Sequence, residues 1–189
     1  MEAGAVAKRA ATALVVGALA AALAFAVFHF FPFLGTAERW TRDFRIANLS
    51  PAEPQHPDIV VAAIVEDTLA SFPYRSPVDR KFLADTLAAI EAKGARAILL
   101  DVLLDQETEI EKDEALQAAL VALKIPIAIS YSDSPTYVTD AQLEYLDEFV
   151  KPEWRGLADI EPDKTDGIIR FVPPPRTLRD GTPDVPNVA

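Results

Sequence analysis

An uncharged apolar stretch occupies residues 10–34, and residues 13–28 within it carry no polar side chain. Crossing a bilayer takes roughly 20 such residues. Residues 11–31 supply them, with Thr12 and His29 near the two interfaces. The run is apolar all round instead of striped, which argues against a buried core helix. Phe28, Phe30, Phe31 and Phe33 cluster at its far end, where an aromatic belt is expected. Lys8 and Arg9 flank its near end, and the positive-inside rule keeps that end in the cytoplasm. A cleaved signal peptide is the competing reading, because small residues two apart recur at Ala20, Ala22, Ala24 and Ala26. Cleavage there would leave Phe28-His29-Phe30-Phe31 as the free end of a secreted domain, so an anchor is the better reading.

Beyond residue 35 the pattern changes to short periodic segments. Trp40, Phe44 and Leu49 among charges suit a short helix or stalk, and Pro51, Pro54 and Pro57 punctuate a linker. Residues 58–65 form a continuous apolar run rich in β-branched side chains, the signature of a strand buried on both faces. Ser76-Pro77-Val78-Asp79 predicts a helix start, with Ser76 as cap and Pro77 at the first position. Leu83, Leu87 and Ile90 then recur at helical spacing until Gly94 closes the helix. Residues 97–104 predict a second buried strand containing Asp101. Thr108 and Glu111 make a capping-box pattern ahead of a Leu116, Leu120, Leu123 stripe. Residues 125–129 predict a third strand. Thr139 and Gln142 make another capping box before Leu143, Leu146 and Val150. Residues 155–158 and 167–172 read as further strands, with Thr165-Asp166-Gly167 as a turn.

Strands alternating with helices across short turns imply an α/β fold with a largely parallel sheet flanked by helices. The expected organisation is a cytoplasmic N-terminus (1–9), a transmembrane helix (10–34), a stalk and linker (35–57) and one extracytoplasmic domain (58–189). Pro186-Asn187-Val188-Ala189 reads like a loop about to enter another element, so further chain is expected beyond it.

Charge narrows the partners. The first 35 residues hold two of the 18 basic and one of the 29 acidic side chains, so the remainder carries a net charge near −12. Such a surface repels nucleic acid and anionic headgroups. With no cysteine, neither disulfides nor thiolate chemistry support this domain.

Ligands of open α/β sheets bind beyond the carboxyl ends of the strands. Glu66 and Asp67 follow the first predicted strand, Asp101 to Asp105 close the second, and Ser130, Tyr131, Ser132 and Asp133 close the third. Arg75 precedes the first helix and faces them in this scheme. Glu66, Asp67, Arg75 and Asp101 are therefore the candidate ligand-binding residues, for a small cation or polar ligand. The plainer alternative holds Asp101 by a helix N-terminus or a backbone turn and leaves Glu66 and Asp67 in water. Asp101, Asp105 and Glu107 lack the glycine and alternating oxygens of a calcium loop. His29 and His56 are the only histidines, no G-x-G-x-x-G or P-loop is present, and no cofactor is expected.

Several of these stretches, in one order, resemble the second CHASE family, the type-two cyclases/histidine kinases associated sensory extracellular domain. Trp40-Thr41-Arg42-Asp43-Phe44-Arg45 resembles its Asp-x-Arg element after the first membrane helix. Residues 58–64 followed by Glu66-Asp67-Thr68-Leu69 resemble its first strand, and Pro73-Tyr74-Arg75-Ser76-Pro77 its Pro-aromatic-Pro-Arg turn with the second proline displaced. Residues 94–104 resemble its Gly-Ala-x-x-Ile-x-Phe-Asp-x-x-Phe strand; Asp113-Glu114-Ala115-Leu116 and Asp166-Gly167-Ile168-Ile169-Arg170 match two further elements. Val65 stands where members often carry Asp, and Leu100 and Leu104 replace the usual aromatics. The resemblance covers residues 40 to 172.

It implies a sensory input domain outside the cytoplasmic membrane. Further membrane helices would follow, with a cytoplasmic nucleotide cyclase, histidine kinase or Ser/Thr kinase as output. The expected partners are the lipid bilayer, a small-molecule or ionic signal and a second copy of the chain; the chain alone is not expected to be an enzyme. Two alternatives remain open. One is a ligand-independent dimerising ectodomain. The other is an exported hydrolase in which Glu66 or Asp67 works with Asp101 as acid and base, with Tyr74, Tyr131, Tyr137 and Trp154 lining a cleft.

Overall fold

The structure is a computed structural model that describes the backbone of residues 2–188 and the side chains of residues 8–27, 29–31 and 35–188. It divides into two units, Met1–Val60 and Val61–Ala189.

The first unit is helical. α1 (Glu2–Phe30) contains Lys8–Val27, the one stretch among the described residues long and apolar enough to cross a membrane, and none of it is buried inside the protein. A core helix would hide one face, so this exposure removes that reading. Phe30 and Phe31 of the expected belt are exposed, whereas the side chains of Phe28 and Phe33 lie outside the described ones. Pro32 opens α2 (Pro32–Leu49), where its missing N–H costs nothing.

The second unit builds a parallel sheet. Its elements are α3 (Glu66–Leu69), α4 (Arg80–Ala92), β1 (Ile98–Leu100), α5 (Ile110–Ala122), β2 (Ile127–Tyr131), α6 (Asp140–Phe149), a 3-10 turn (Pro152–Trp154) and β3 (Arg155–Leu157). The strand order is β1-β2-β3, all parallel, with Ile98 opposite Ile127 and Ile129 opposite Arg155. Leu83 and Leu87 of α4, Leu116 and Leu120 of α5, and Leu146 of α6 join Ile98, Leu100 and Ile129 in one core. Gly94 closes α4 with φ 88°, a left-handed conformation that only glycine enters without strain. Thr139 and Gln142 form the expected capping box: the Gln142 N–H donates to Thr139 Oγ1 (3.3 Å) and the Thr139 N–H to Gln142 Oε1 (2.9 Å).

Five local expectations are corrected. Residues 58–65 form no strand, and all but the half-buried Ile64 are exposed, because β-branched composition does not supply a partner edge. The strand expected over 97–104 shrinks to Ile98–Leu100, with Leu99 exposed between two buried neighbours, because β1 is the sheet edge. α4 starts three residues later than Pro77: the cap is Asp79, whose carboxylate accepts from the Phe82 N–H at 2.9 Å. Thr108 does not pair with Glu111; its N–H (2.8 Å) and hydroxyl (2.7 Å) both donate to the Asp113 carboxylate, and Glu109 becomes the cap position. Residues 167–172 follow the expected turn but pair with no strand, leaving Ile169 and Phe171 exposed.

After β3 the chain returns to the sheet. The Leu157 N–H donates to Pro186 O (2.8 Å) and the Val188 N–H to Leu157 O (2.7 Å), a parallel bridge on β3's outer side. A Cβ on Gly156 would meet Val188 Cγ1 at 2.5 Å and its Cβ at 3.2 Å. A short β-branched side chain cannot swing away from that approach. Gly156→Ala is therefore expected to cost about 1–3 kcal/mol of stability, read from denaturant unfolding. Adding Val188→Ala should recover part of the loss; equal midpoints for Gly156→Ala and the parent would contradict the packing.

Candidate functional site

The first turns of α4, α5 and α6 all open where the sheet's strands end, and polar side chains tie them together. Asp79, the α4 cap, accepts from Lys112 Nζ of α5 at 2.7 Å. Lys112 also donates to Glu109 (2.9 Å) and to the Tyr74 hydroxyl (3.0 Å), while Tyr74 donates to Glu109 Oε2 at 2.6 Å. Arg80, fully buried, donates to Gln106 O at 3.0 Å and lies 3.5 Å from Asp113 of α5. The Tyr145 hydroxyl of α6 reaches Asp113 at 3.3 Å, and Gln142 of α6 donates to Asp105 at 2.5 Å. A hollow of about 250 Å³ opens over this network, lined by Tyr74, Pro77, Glu107, Thr108 and Glu109. A second hollow of about 340 Å³ lies on α2 between Glu38, Thr41, Arg42 and Arg45, which are side chains of a single helix.

A second network closes the rim behind β2 and β3. Asp133, 2% exposed, accepts from Arg176 Nη2 (2.5 Å) and Nη1 (3.3 Å) and from the Arg179 N–H (2.8 Å). Arg176 also donates to Asp159 (2.6 Å), whose other oxygen accepts from Ser132 (2.5 Å). Buried Arg155 spans Val150 O (3.0 Å), Asp147 (3.0 Å) and Asp180 (2.5 Å), with its guanidinium 4.5 Å from the centre of the Tyr131 ring. Asp180 lies 25 positions from Arg155, and Arg176 and Arg179 lie 43 and 46 positions from Asp133, so no motif spacing announces these three pairs.

The electrostatics follow the contacts. Hydrogen bonds from Lys112 and Tyr74 push the Glu109 carboxyl down to about 2. Burial alone raises Asp79, but the Lys112 and Phe82 hydrogen bonds outweigh it and hold the carboxyl below its ordinary value. Burial likewise raises Asp133, and the bonds from Arg176 and the Arg179 N–H again leave the net value lowered. Burial, with the nearby charge of Asp113, pushes Tyr145 up to about 12. Carboxyls depressed on folding stabilise the folded state above their ordinary value of 3.8, and that stability drains as pH falls through the depressed values. The unfolding midpoint is thus expected to be flat from pH 7 to about 5 and to fall below about 4. Asp133→Asn should weaken that acid dependence.

The four residues singled out from the sequence lie in two places. Glu66 and Asp67 form the exposed first turn of α3, and Glu66 is ion-paired with the exposed Arg75. Asp101 follows β1, exposed, and accepts from Ser130 Oγ of β2 at 2.8 Å. Its restraint is therefore a neighbouring strand's hydroxyl, not a helix N-terminus or a backbone turn. No hydrogen bond or ion pair links Asp101 to Glu66, Asp67 or Arg75. The Asp79–Lys112–Glu109–Tyr74 and Asp133–Arg176–Asp159 sets were missed. Their local signals are Asp79 beside a helix start and Asp133 at the end of the third predicted strand. Of the aromatics considered for a sugar cleft, Tyr131 is buried, Tyr137 donates to Ile160 O (2.8 Å) and Trp154 stacks under Lys151. Among the described residues no group of three or more His, Asp or Glu is placed to hold a metal ion.

Fold and rim together define an α/β unit that follows an apolar helix in the chain and whose strand ends carry ion-paired and hydrogen-bonded side chains. The CHASE2 domain family matches residues 16–187, and the chain belongs to it. CHASE2 is a family of sensory extracellular domains typical of signalling receptors. The matched stretch begins inside the apolar helix and reaches past residues 40 to 172, where the resemblance was read. No curated protein and no solved structure matches the chain.

Proposed function

We propose that this chain is the extracytoplasmic input domain of a receptor in the cytoplasmic membrane. Its output, a nucleotide cyclase or kinase, lies in chain beyond it. The match to CHASE2 from residue 16 carries this reading, because it joins the apolar helix and the α/β unit as one family element. Lys8 and Arg9 orient the N-terminus inward, and the acidic surface suits the outer side better than contact with anionic headgroups. A small-molecule or ionic signal has its candidate contacts at Glu66, Asp67 and Arg75 around α3 and at Asp101 after β1, and two copies of the chain work together. The signal shifts two conformations only through its differential affinity for them.

Two measurements test this. A reporter fused after Asp180 should be active only outside the cytoplasm; activity confined to the inside would overturn the receptor reading. Asp101→Asn keeps an oxygen for the Ser130 hydroxyl, so it is expected to change stability by no more than about 0.5 kcal/mol while altering the output of the full-length protein. A melted domain would make Asp101 structural, and an unaltered output would remove it from the signal site.

A further inference from the structure

Within the Met1–Val60 unit, the described side chains of α2 carry an apolar stripe at heptad spacing. Ala37, Trp40, Phe44 and Ala47 lie three, four and three positions apart, as the a and d positions of a heptad do. All four are exposed, Trp40 57% and Phe44 60%. The flanks are polar: Thr41 and Asn48 fall at e, Thr36 and Asp43 at g. Four of the helix's five charged side chains, Glu38, Arg39, Arg42 and Arg45, fall at the outward b, c and f positions. A helix face that packs on a core is apolar over about 100° or more, whereas a strict a/d stripe is the narrower seam of a coiled coil. A helix lying on lipid keeps its polar face polar, yet exposed Ile46 and Leu49 sit among the charges of α2.

The polar groups beside the stripe suit a dry neighbour. Thr41 Oγ1 donates to Ala37 O (2.8 Å) and Asn48 Nδ2 to Phe44 O (3.0 Å). Both bonds run back one turn along α2, to the carbonyls of the two a positions. Closing a seam beside them therefore leaves neither side chain without an acceptor.

We infer that α2 pairs in parallel with α2 of a second copy, forming a short two-stranded coiled coil through Ala37, Trp40, Phe44 and Ala47. The sense is parallel because each copy enters α2 from its own apolar helix, and both helices share one orientation. Ala37 and Ala47 leave room for the rings of Trp40 and Phe44 in the neighbouring layers. In such a pair each g position faces the e position five residues further on in the other copy. Thr36 then meets Thr41 and Asp43 meets Asn48, so neither flank sets like charges against each other. Two heptads are fewer than a free coiled coil needs. A shared bilayer supplies the difference by raising the effective concentration of one α2 for the other. The pairing therefore rests on the anchored-receptor reading and specifies the contact through which two copies work together.

The chain has no cysteine, so single introduced thiols report cleanly. Ala37→Cys and Ala47→Cys place one on the seam, and Glu38→Cys and Arg42→Cys place one on the outward face of the same helix. All four positions are exposed, so the variants are expected to fold. The full chain is oxidised in isolated membranes and disulfide-linked dimers are followed in time. Dimers are expected several-fold faster at the two seam positions than at the two outward ones. Adding Trp40→Ala and Phe44→Ala to Ala37→Cys should bring its rate down to the outward one. Equal rates at all four positions would mean random collision and overturn the pairing, and so would the absence of dimers at every position. In a Trp154→Phe background Trp40 is the only tryptophan. Its fluorescence should survive in vesicles of brominated phosphatidylcholine; strong quenching would assign the stripe to lipid and overturn the pairing. A topology reporter active only inside, with seam dimers still forming, would remove the receptor reading and leave the seam standing. A reporter active outside without seam dimers would do the reverse.

Discussion

Asp133→Ala is expected to cost about 3 kcal/mol, the lower end of the range for breaking a buried charge pair. Asp133 is 2% exposed and accepts three hydrogen bonds, two from Arg176 and one from the Arg179 N–H. The full penalty of an abandoned buried cation does not apply, since Arg176 is 39% exposed and retains Asp159. The backbone N–H of Arg179 loses its acceptor outright. The damage should be local at first: residues 176–188 loosen while α4 and α5 hold. Limited proteolysis before global unfolding is the readout, with new cleavage expected between Arg176 and Asn187. Uniform loss of protection across the domain, or an unchanged unfolding midpoint, would contradict this account.

Leu116→Ala is expected to cost about 2–5 kcal/mol. Leu116 is fully buried at the centre of α5, in the core shared with Leu83 and Leu87 of α4 and Leu146 of α6. Truncation removes apolar contact and leaves a cavity whose walls belong to several elements, so collapse around it is incomplete. Leu123, near the end of the same stripe, is only half-buried. Leu123→Ala should cost distinctly less, and chemical denaturation of the two variants compares them directly. If they destabilise equally, the core does not centre on α5's middle turns.

The hydrophobic pattern made the helices legible. Leu83, Leu87, Leu116, Leu120 and Leu146 recur at helical spacing, and all five are buried. The Thr139–Gln142 box was equally readable, because both of its bonds close within three residues. The first two strand readings fared worse. Residues 58–65 and 97–104 carry similar apolar runs, yet only three residues of the second entered the sheet. A strand needs an edge contributed from elsewhere in the chain, and composition does not report whether that edge is present. Cap choice failed for a related reason. Asp79, which accepts from both the Phe82 N–H and Lys112, displaced the Ser76 hydroxyl as cap, and Asp113 displaced Glu111 as the partner of Thr108.

The sequence by itself determined the apolar helix, the acidic α/β unit, the parallel sense of the sheet and the order of motifs that places the chain in CHASE2. These follow from periodicity, charge and short spacings, which act between residues near one another in the chain. Only the tertiary structure decided that Asp79 pairs with Lys112, Asp133 with Arg176 and Arg155 with Asp180, that Asp101 is held by Ser130, and that among the described residues β1 pairs with β2 alone. Each of those depends on which distant segments the folded core brings within a few ångströms, and charge or hydroxyl identity alone leaves many equivalent partners to choose from.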